Sequence, residues 1–197
     1  MIFAGQSRSN VKYIFNGLNV GGAVGSYVFK IPNEQDGETM FRFTTKDVYV
    51  NKEVKQFKIV EHPGASAILV VNDDKVLLVE QYRPAANRFM LEIPAGNRRL
   101  EESPLDCAKR ELEEETGFKA ETWKSLGVIY PTPGYTSEVL NLYLAGGLFE
   151  GEQRLEEGEE LEVKWLPLDS VETMIEDGLI CDAKTIIAIY KYILSNR

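Results

Sequence analysis

The sequence predicts an α/β protein: a mixed sheet between helices over residues 59–197, led by a small antiparallel β-sheet region at 1–58. Three observations lead there. The apolar runs at 65–71 and 75–83 are continuous rather than alternating, as in strands buried on both faces. Further strand-like segments alternate with a few helical ones, one inserted in a loop and one at the end, the pattern of a sheet packed between helices. Residues from about 13 to 60 instead alternate apolar and polar over short stretches, as half-buried antiparallel strands do.

The chain bears this out segment by segment. Residues 1–10 read as a loose terminus. The stretches 26–31 and 39–44 alternate, with turn residues Asn33 to Gly37 between them, and 47–60 supplies one or two more strands. A sheet of that size is too slight to stand alone, so it must pack on the main domain, on another subunit, or on both. His62-Pro63-Gly64 breaks the chain. Two strands follow, joined by the hairpin loop Asn72-Asp73-Asp74. Glu92 then sits between apolar residues in a strand, where a carboxylate must be paired or bound to a cation. Pro94 and Gly96 force a turn that can aim the Ala95 carbonyl. A strand is expected at 122–130, an ordered loop at 131–138 and a strand at 139–145. An acidic loop at 149–160 and a strand at 161–166 come next. A helix capped by Asp169 or Ser170 should stop near Gly178, and a last helix at 182–194 should dock a wide apolar face on the sheet.

Composition narrows the function. Apolar residues make up 44% and charged residues 27% of the 197, as in soluble globular proteins. Lys and Arg number 22 against 31 Asp and Glu, a net charge of −9. That argues against a nucleic-acid surface, which needs clustered cations. Cys107 and Cys181 are far apart and in no metal-binding spacing, which argues against a disulfide framework or a zinc site. No apolar run reaches the ~18 residues of a membrane span, and the start lacks the apolar core of a secretory signal. A cytoplasmic protein without membrane partners is expected. His62 is the single histidine, at a domain junction, and reads as structural.

The chemistry concentrates between Gly96 and Phe118. Ser103-Pro104-Leu105-Asp106 is a helix start, with Ser103 as the cap, Pro104 at the first helical position and Asp106 near the positive end of the dipole. Gly117 is the natural stop. The helix should span about 104–116. At roughly 100° per residue, Leu105, Ala108 and Leu112 share one stripe. Glu111 and Glu115 lie together on its flank, with Glu114 further round. Two carboxylates four residues apart are neighbours, and they repel unless a cation sits among them. A hard divalent ion is one reading; a solvated acidic face is the other.

The wider stretch decides between them. Gly96, five residues, Glu102, seven residues, Arg110-Glu111-Leu112, one residue, Glu114-Glu115, one residue, Gly117-Phe118 resembles the Nudix box at every defining position. LEIPAG preceded by EQYRP is similar to the ADP-ribose pyrophosphatase branch, as is Pro133, sixteen residues after Gly117. The resemblance implies the Nudix α/β/α sandwich and an Mg²⁺-dependent (or Mn²⁺-dependent) hydrolase of a diphosphate joined to another group. It implies that Glu111 and Glu115 hold the ion with the Ala95 carbonyl, that Glu114 is a ligand or a partner of one, and that Arg110 orients the carboxylates. Arg83 would contact substrate or pair with Glu92. The acidic loop would bring Glu157 or Glu159 as base or further ligand. The implied reaction is attack of water on ADP-ribose, giving AMP and ribose 5-phosphate. The wider PTPGYTSEVLNLYLA is also similar to sugar-nucleotide members, which keeps GDP-mannose open. A nucleotide-binding regulatory module that lost the reaction is the remaining alternative. The N-terminal sheet resembles the part through which such enzymes form homodimers. An acidic protein acting on anionic diphosphates is reasonable if metal ions recruit the substrate.

Overall fold

The structure, a computed structural model, describes residues 41–156 and 159–196. The strand expected at 26–31, the loose start at 1–10 and Glu157 lie outside the described residues. The chain divides into two compact units, Met1–His62 with Gly134–Ser137, and Pro63–Pro133 with Glu138–Arg197.

In the first unit, β1 (Arg42–Val50) and β2 (Glu53–Glu61) form an antiparallel hairpin running from the Arg42↔Glu61 pair to Val50↔Glu53. Asn51 and Lys52 both take positive φ, which gives the turn the handedness that a twisted two-stranded ribbon needs. The segment Gly134–Ser137 joins β2 through Val60, whose N–H donates to Tyr135 O at 2.7 Å and whose carbonyl accepts from Ser137 N at 3.0 Å.

The second unit carries β3 (Ala65–Asn72), β4 (Lys75–Arg83), β5 (Arg88–Glu92), β6 (Ala95–Asn97), α1 (Pro104–Thr116), β7 (Phe118–Ile129), β8 (Leu140–Glu150), β9 (Leu161–Pro167), α2 (Leu168–Glu176) and α3 (Ala183–Ser195). The sheet is mixed: β3 and β8 run parallel, and the other pairs are antiparallel. Strands β3 and β4 touch only near their hairpin, at Val71↔Val76 and Asn72↔Lys75. Beyond it they part, β3 to pair with β6 and β8, and β4 with β5 and β9. The chain crosses that parting at Ile93-Pro94, where Pro94 O accepts from Ile68 N at 2.8 Å. Glu92 lies just before the crossing; Ala95 and Gly96 lie just after it.

Alternation along β3 explains the layers. Ala65, Ala67 and Leu69 face a cluster with Val171 of α2 and Ala188, Ile189 and Ile193 of α3. Ile68 and Val70 face the opposite cluster, with Ala108 and Leu112 of α1. The sheet is therefore sandwiched between helices, and β3 and β4 are buried on both faces, as their unbroken apolar text requires. Burying a side chain such as Leu112 stabilises the fold by about 1.5–3 kcal/mol.

Several boundaries differ from expectation. The strand expected at 39–44 and the next one expected from 47 are continuous in β1, and the turn falls at Asn51-Lys52, where both residues take positive φ. β7 begins at Phe118, directly after the helix stop, rather than at 122, because Phe118 pairs with Glu150. For the same reason β8 continues to Glu150, and the acidic loop starts only at Gly151. Neither Asp169 nor Ser170 caps α2. Pro167 is its N-cap, without a side-chain bond, and Asp169 sits in the first turn. The Leu168 N–H is taken by Asp74 O of the β3–β4 turn at 2.8 Å, which satisfies one of the free donors at the helix start.

Candidate active site

Local chemistry fixes α1 first. Ser103 Oγ accepts from Asp106 N, Pro104 opens the helix, and Gly117 closes it in the left-handed conformation at φ 72° with its N–H donating to Glu113 O. The buried side of the helix takes in Cys107, Ala108, Leu112 and Thr116, and also Glu111 and Glu115. The two carboxylates are 8% and 3% exposed, so for them the solvated-face reading fails.

What they bury against is the backbone of β6. A Cβ on Gly96 would stand 2.1 Å from Glu111 Cδ, so the strand can lie on that carboxylate only because residue 96 has none. Ala95 N donates to Glu115 Oε2 at 3.0 Å. Burial pushes the Glu111 carboxyl from an ordinary value of 4.5 up to about 7, against the pull of Arg110. Burial, followed by the charge of Glu111, raises Glu115 well above the carboxylate range. The charge of Glu159 bears on both in the same direction. Two like charges this close in a low dielectric cannot both be ionised cheaply without a cation.

Arg110 is the cation the chain itself supplies. Its Nε and Nη2 donate to the two oxygens of Glu102, at 2.8 and 2.9 Å. Its Nη1 donates to Glu111 Oε1 at 2.6 Å and to Glu114 Oε2 at 2.9 Å, and Nη2 also reaches Asn97 O. It thus bonds both Glu111 and Glu114 but makes no such bond to Glu115. Glu102 is the partner that reasoning from the helix alone missed; its signal was its fixed place eight residues before Arg110. The hydrogen bond from Arg110 holds the Glu102 carboxyl down at about 2. Burial pushes the Cys107 thiol up to about 11, and the residue packs beneath Gly96 O as an inert filler.

The acidic loop is tied to the C-terminal turn of α1. Arg154 N donates to Glu114 O, Gln153 Nε2 to Glu115 O and Gly151 N to Gly117 O, at 2.9, 2.7 and 2.8 Å, so the loop satisfies carbonyls the helix end leaves free. Glu159 Oε2 accepts from Glu156 N at 3.1 Å.

A second polar group lies where β5 meets α3. Arg83 grips Glu92 with two bonds of 2.7 Å, and Lys184 Nζ bonds the same carboxylate. Glu92 is 2% exposed. Burial alone would raise its carboxyl, but Arg83 and Lys184 outweigh burial and hold it below the ordinary range. Thr185 Oγ1 accepts from Ile93 N and donates to Asp182 Oδ2, which also caps α3 through Thr185 N. Lys184, Thr185 and Asp182 were not foreseen, since 92 residues separate Lys184 from Glu92. Beside this group opens a cleft of about 300 Å³, lined among others by Arg83, Ala95, Gly96, Asn97 and Lys184. Pro131 and Glu138 also line it, whereas Pro133 is exposed and does not.

The oxygen-only donors of Glu111, Glu115 and the β6 backbone, with two raised carboxyls, fit a hard divalent cation. Among the described residues no three acidic, His or Cys side chains converge on one point. Waters and substrate oxygens would have to complete the shell, as Mg²⁺ tolerates well.

The chain is similar to known proteins over most of its length. A model of the NUDIX domain matches residues 60–186. The chain is 39% identical to a methanol dehydrogenase activator of Bacillus methanolicus, over 71% of this chain and 77% of that one. It is 37% identical to an ADP-ribose pyrophosphatase of Bacillus subtilis, over 77% and 87%. A GDP-mannose pyrophosphatase of Yersinia enterocolitica is 33% identical, over 68% and 75%. A crystal structure of an ADP compounds hydrolase superposes with TM-score 0.70 at 20% identity, covering 98% of this chain and 96% of that one, which establishes the shared fold.

Proposed function

This chain belongs to the NUDIX family, and on that premise we propose that it hydrolyses the diphosphate of ADP-ribose to AMP and ribose 5-phosphate with Mg²⁺, or Mn²⁺ in its place. The observation that carries the reading is the buried pair Glu111 and Glu115, pressed on the backbone of Ala95 and Gly96 beside the cleft. The similarity to an ADP-ribose pyrophosphatase over most of both chains supports the substrate.

Each residue has a part that its surroundings allow. Glu111, Glu115 and the Ala95 carbonyl hold the divalent ion, with Glu114 as a ligand or a partner of one. The ion supplies charge neutralisation at the diphosphate and a more acidic water. Arg110 keeps Glu111 and Glu114 turned toward each other by charge-assisted bonds. Glu159 or Glu157 accepts the proton of the attacking water, a contribution of about 10²–10⁴-fold. Arg83, backed by Glu92, contacts the substrate in the cleft, and Pro133 shapes the loop after β7. The N-terminal region, to residue 58, forms a homodimer, for which the exposed Phe43, Tyr49, Val54 and Phe57 of the β1–β2 hairpin supply apolar surface. Among the described residues no helix is long and apolar enough to cross a membrane. A cytoplasmic location is proposed with the small-molecule substrate.

The similarity to a GDP-mannose pyrophosphatase favours a second reading, with another nucleoside-diphosphate sugar as substrate. A panel of such compounds, assayed with Mg²⁺ and then Mn²⁺ and with product identification, separates the two. AMP and ribose 5-phosphate from ADP-ribose at the highest kcat/KM is the expected result. A higher kcat/KM for GDP-mannose selects the alternative, and no hydrolysis of any member overturns both.

A further inference from the structure

Two arginines of different standing hold Glu114. Arg110 Nη1 donates to its Oε2 at 2.9 Å from a side chain that is 14% exposed and also bound to Glu102, Glu111 and Asn97 O. Arg99 Nη2 straddles the same carboxylate, 3.3 Å from Oε1 and 3.4 Å from Oε2, from a side chain that is 57% exposed. The contacts of Arg99 are long and open to water, and an ion pair of that kind is weakly held. Its backbone is nonetheless fixed. The Arg99 N–H donates to Glu102 Oε2 at 2.9 Å, the oxygen that also binds Arg110 Nη2, and its carbonyl accepts from Glu102 N at 3.2 Å. The guanidinium can therefore swing about an anchored Cα. A second acceptor stands close by, because Glu156 of the acidic loop lies 3.9 Å from the same Nη2. Arg154 is as exposed as Arg99, but it lies 3.6 Å from Glu113 instead of Glu114.

We propose that Arg99 is a resident counter-cation of Glu114 that a divalent ion displaces, so that this arginine sets how tightly the site takes its metal. The inference rests on the reading of Glu111 and Glu115 as a pair that binds such an ion. An ion that uses Glu114 as a ligand would stand beside a guanidinium on the same carboxylate, and two cations so close repel. One arginine must yield. Arg110 cannot, because its departure would leave the carboxylates of Glu102 and Glu111 without their partner inside the fold. Arg99 can, since water reaches it already and Glu156 is there to receive it. While the ion is absent, Arg99 offsets the charge of Glu114, which bears on Glu111.

The affinity for Mg²⁺ alone, measured calorimetrically on the full chain near pH 7, separates this role from simple packing. Removing a cation that has to leave removes an opposing cost. Arg99→Gln should therefore bind Mg²⁺ about two- to fivefold more tightly than wild type, the size of one exposed ion pair. The gain should vanish in a Glu114→Gln background, where no carboxylate remains to compete for. Arg154→Gln deletes the same charge beside Glu113 and should leave the Kd at its wild-type value. An equal gain with Arg154→Gln, or a gain that persists without Glu114, reduces the effect to net charge and overturns the proposal. If wild-type protein binds Mg²⁺ and Arg99→Gln binds it no more tightly, Arg99 serves only to hold the loop on the helix; the proposal then falls and the cation-pair reading stands. Wild-type protein that binds no Mg²⁺ overturns both.

Discussion

At the scale of single residues, the site is a matter of three carboxylates and one guanidinium with different protonation. Glu111 and Glu115 bind a proton more tightly in the folded state than in the unfolded one, because burial raises both. Their protonated form is favoured on folding, so the contribution of Glu111 is fully present below about 4.5 and is lost as pH rises through about 7, and that of Glu115 is lost in the same direction. Glu102 has the opposite sign. Its carboxyl is held at about 2, so its contribution is present above 4.5 and disappears as pH falls toward 2. Urea melts without metal should therefore give a protein more stable near pH 5 than near pH 8, and Mg²⁺ should erase that difference by stabilising the ionised pair. A metal-free protein equally stable at both values would show that the two carboxylates are not buried together. Arg110 is the hinge between these groups. Arg110→Ala should lower activity by about 10–100-fold, as loss of a group that orients ligands does, and Arg110→Lys should not restore it, since an ammonium cannot serve Glu102 with a fork while reaching Glu111 and Glu114. Steady-state kinetics check both.

At the scale of elements, α1 and β6 form one device: the helix presents two carboxylates and the strand covers them with backbone. Gly96→Ala tests this joint. The added methyl would occupy the place of the Glu111 carboxyl, and a displacement of that order predicts about a 10²-fold loss of kcat/KM with the circular-dichroism spectrum retained. Unchanged kinetics would mean that Glu111 does not need its place against the strand. The bounds of α1 were legible because its signals are local: Ser103 and Pro104 start it, and Gly117 stops it. The apolar runs of β3 and β4 were legible for the same reason. What the text concealed was pairing at a distance. Nothing near residue 118 announces Glu150 as its partner, so β7 and β8 were read too short. Nothing near Leu168 announces that Asp74 will occupy its N–H. The helical wheel placed Glu111 and Glu115 on a flank, whereas the buried arc includes them, because β6 packs there and a wheel knows nothing of the neighbour. Lys184 escaped notice because its partner Glu92 lies on another element.

At the scale of the whole molecule, a net charge of −9 would repel a diphosphate, and the cleft itself carries Asp182 and Glu138 alongside Arg83 and Lys184, so a divalent ion on the neighbouring carboxylate pair would have to supply the excess positive charge. Local charge rather than net charge governs an anion held at such close range. The exposed aromatic and aliphatic side chains of the β1–β2 hairpin belong to the same scale, since a two-stranded ribbon is marginal by itself. Light scattering after size-exclusion chromatography should give twice the chain mass of 22.2 kDa, and a monomer mass at micromolar concentration would contradict the proposed dimer. The central claim is that Glu111 and Glu115 are a pair that binds a divalent cation. Calorimetric titration of Mg²⁺ near pH 7, in two buffers of different ionisation heat, measures it most directly. Wild-type protein should bind the ion and release protons as the raised carboxyls ionise, while folded Glu115→Gln should bind more than about 100-fold more weakly, beyond the loss expected for a group that only orients a ligand. Equal Mg²⁺ affinity in the two proteins would contradict the account.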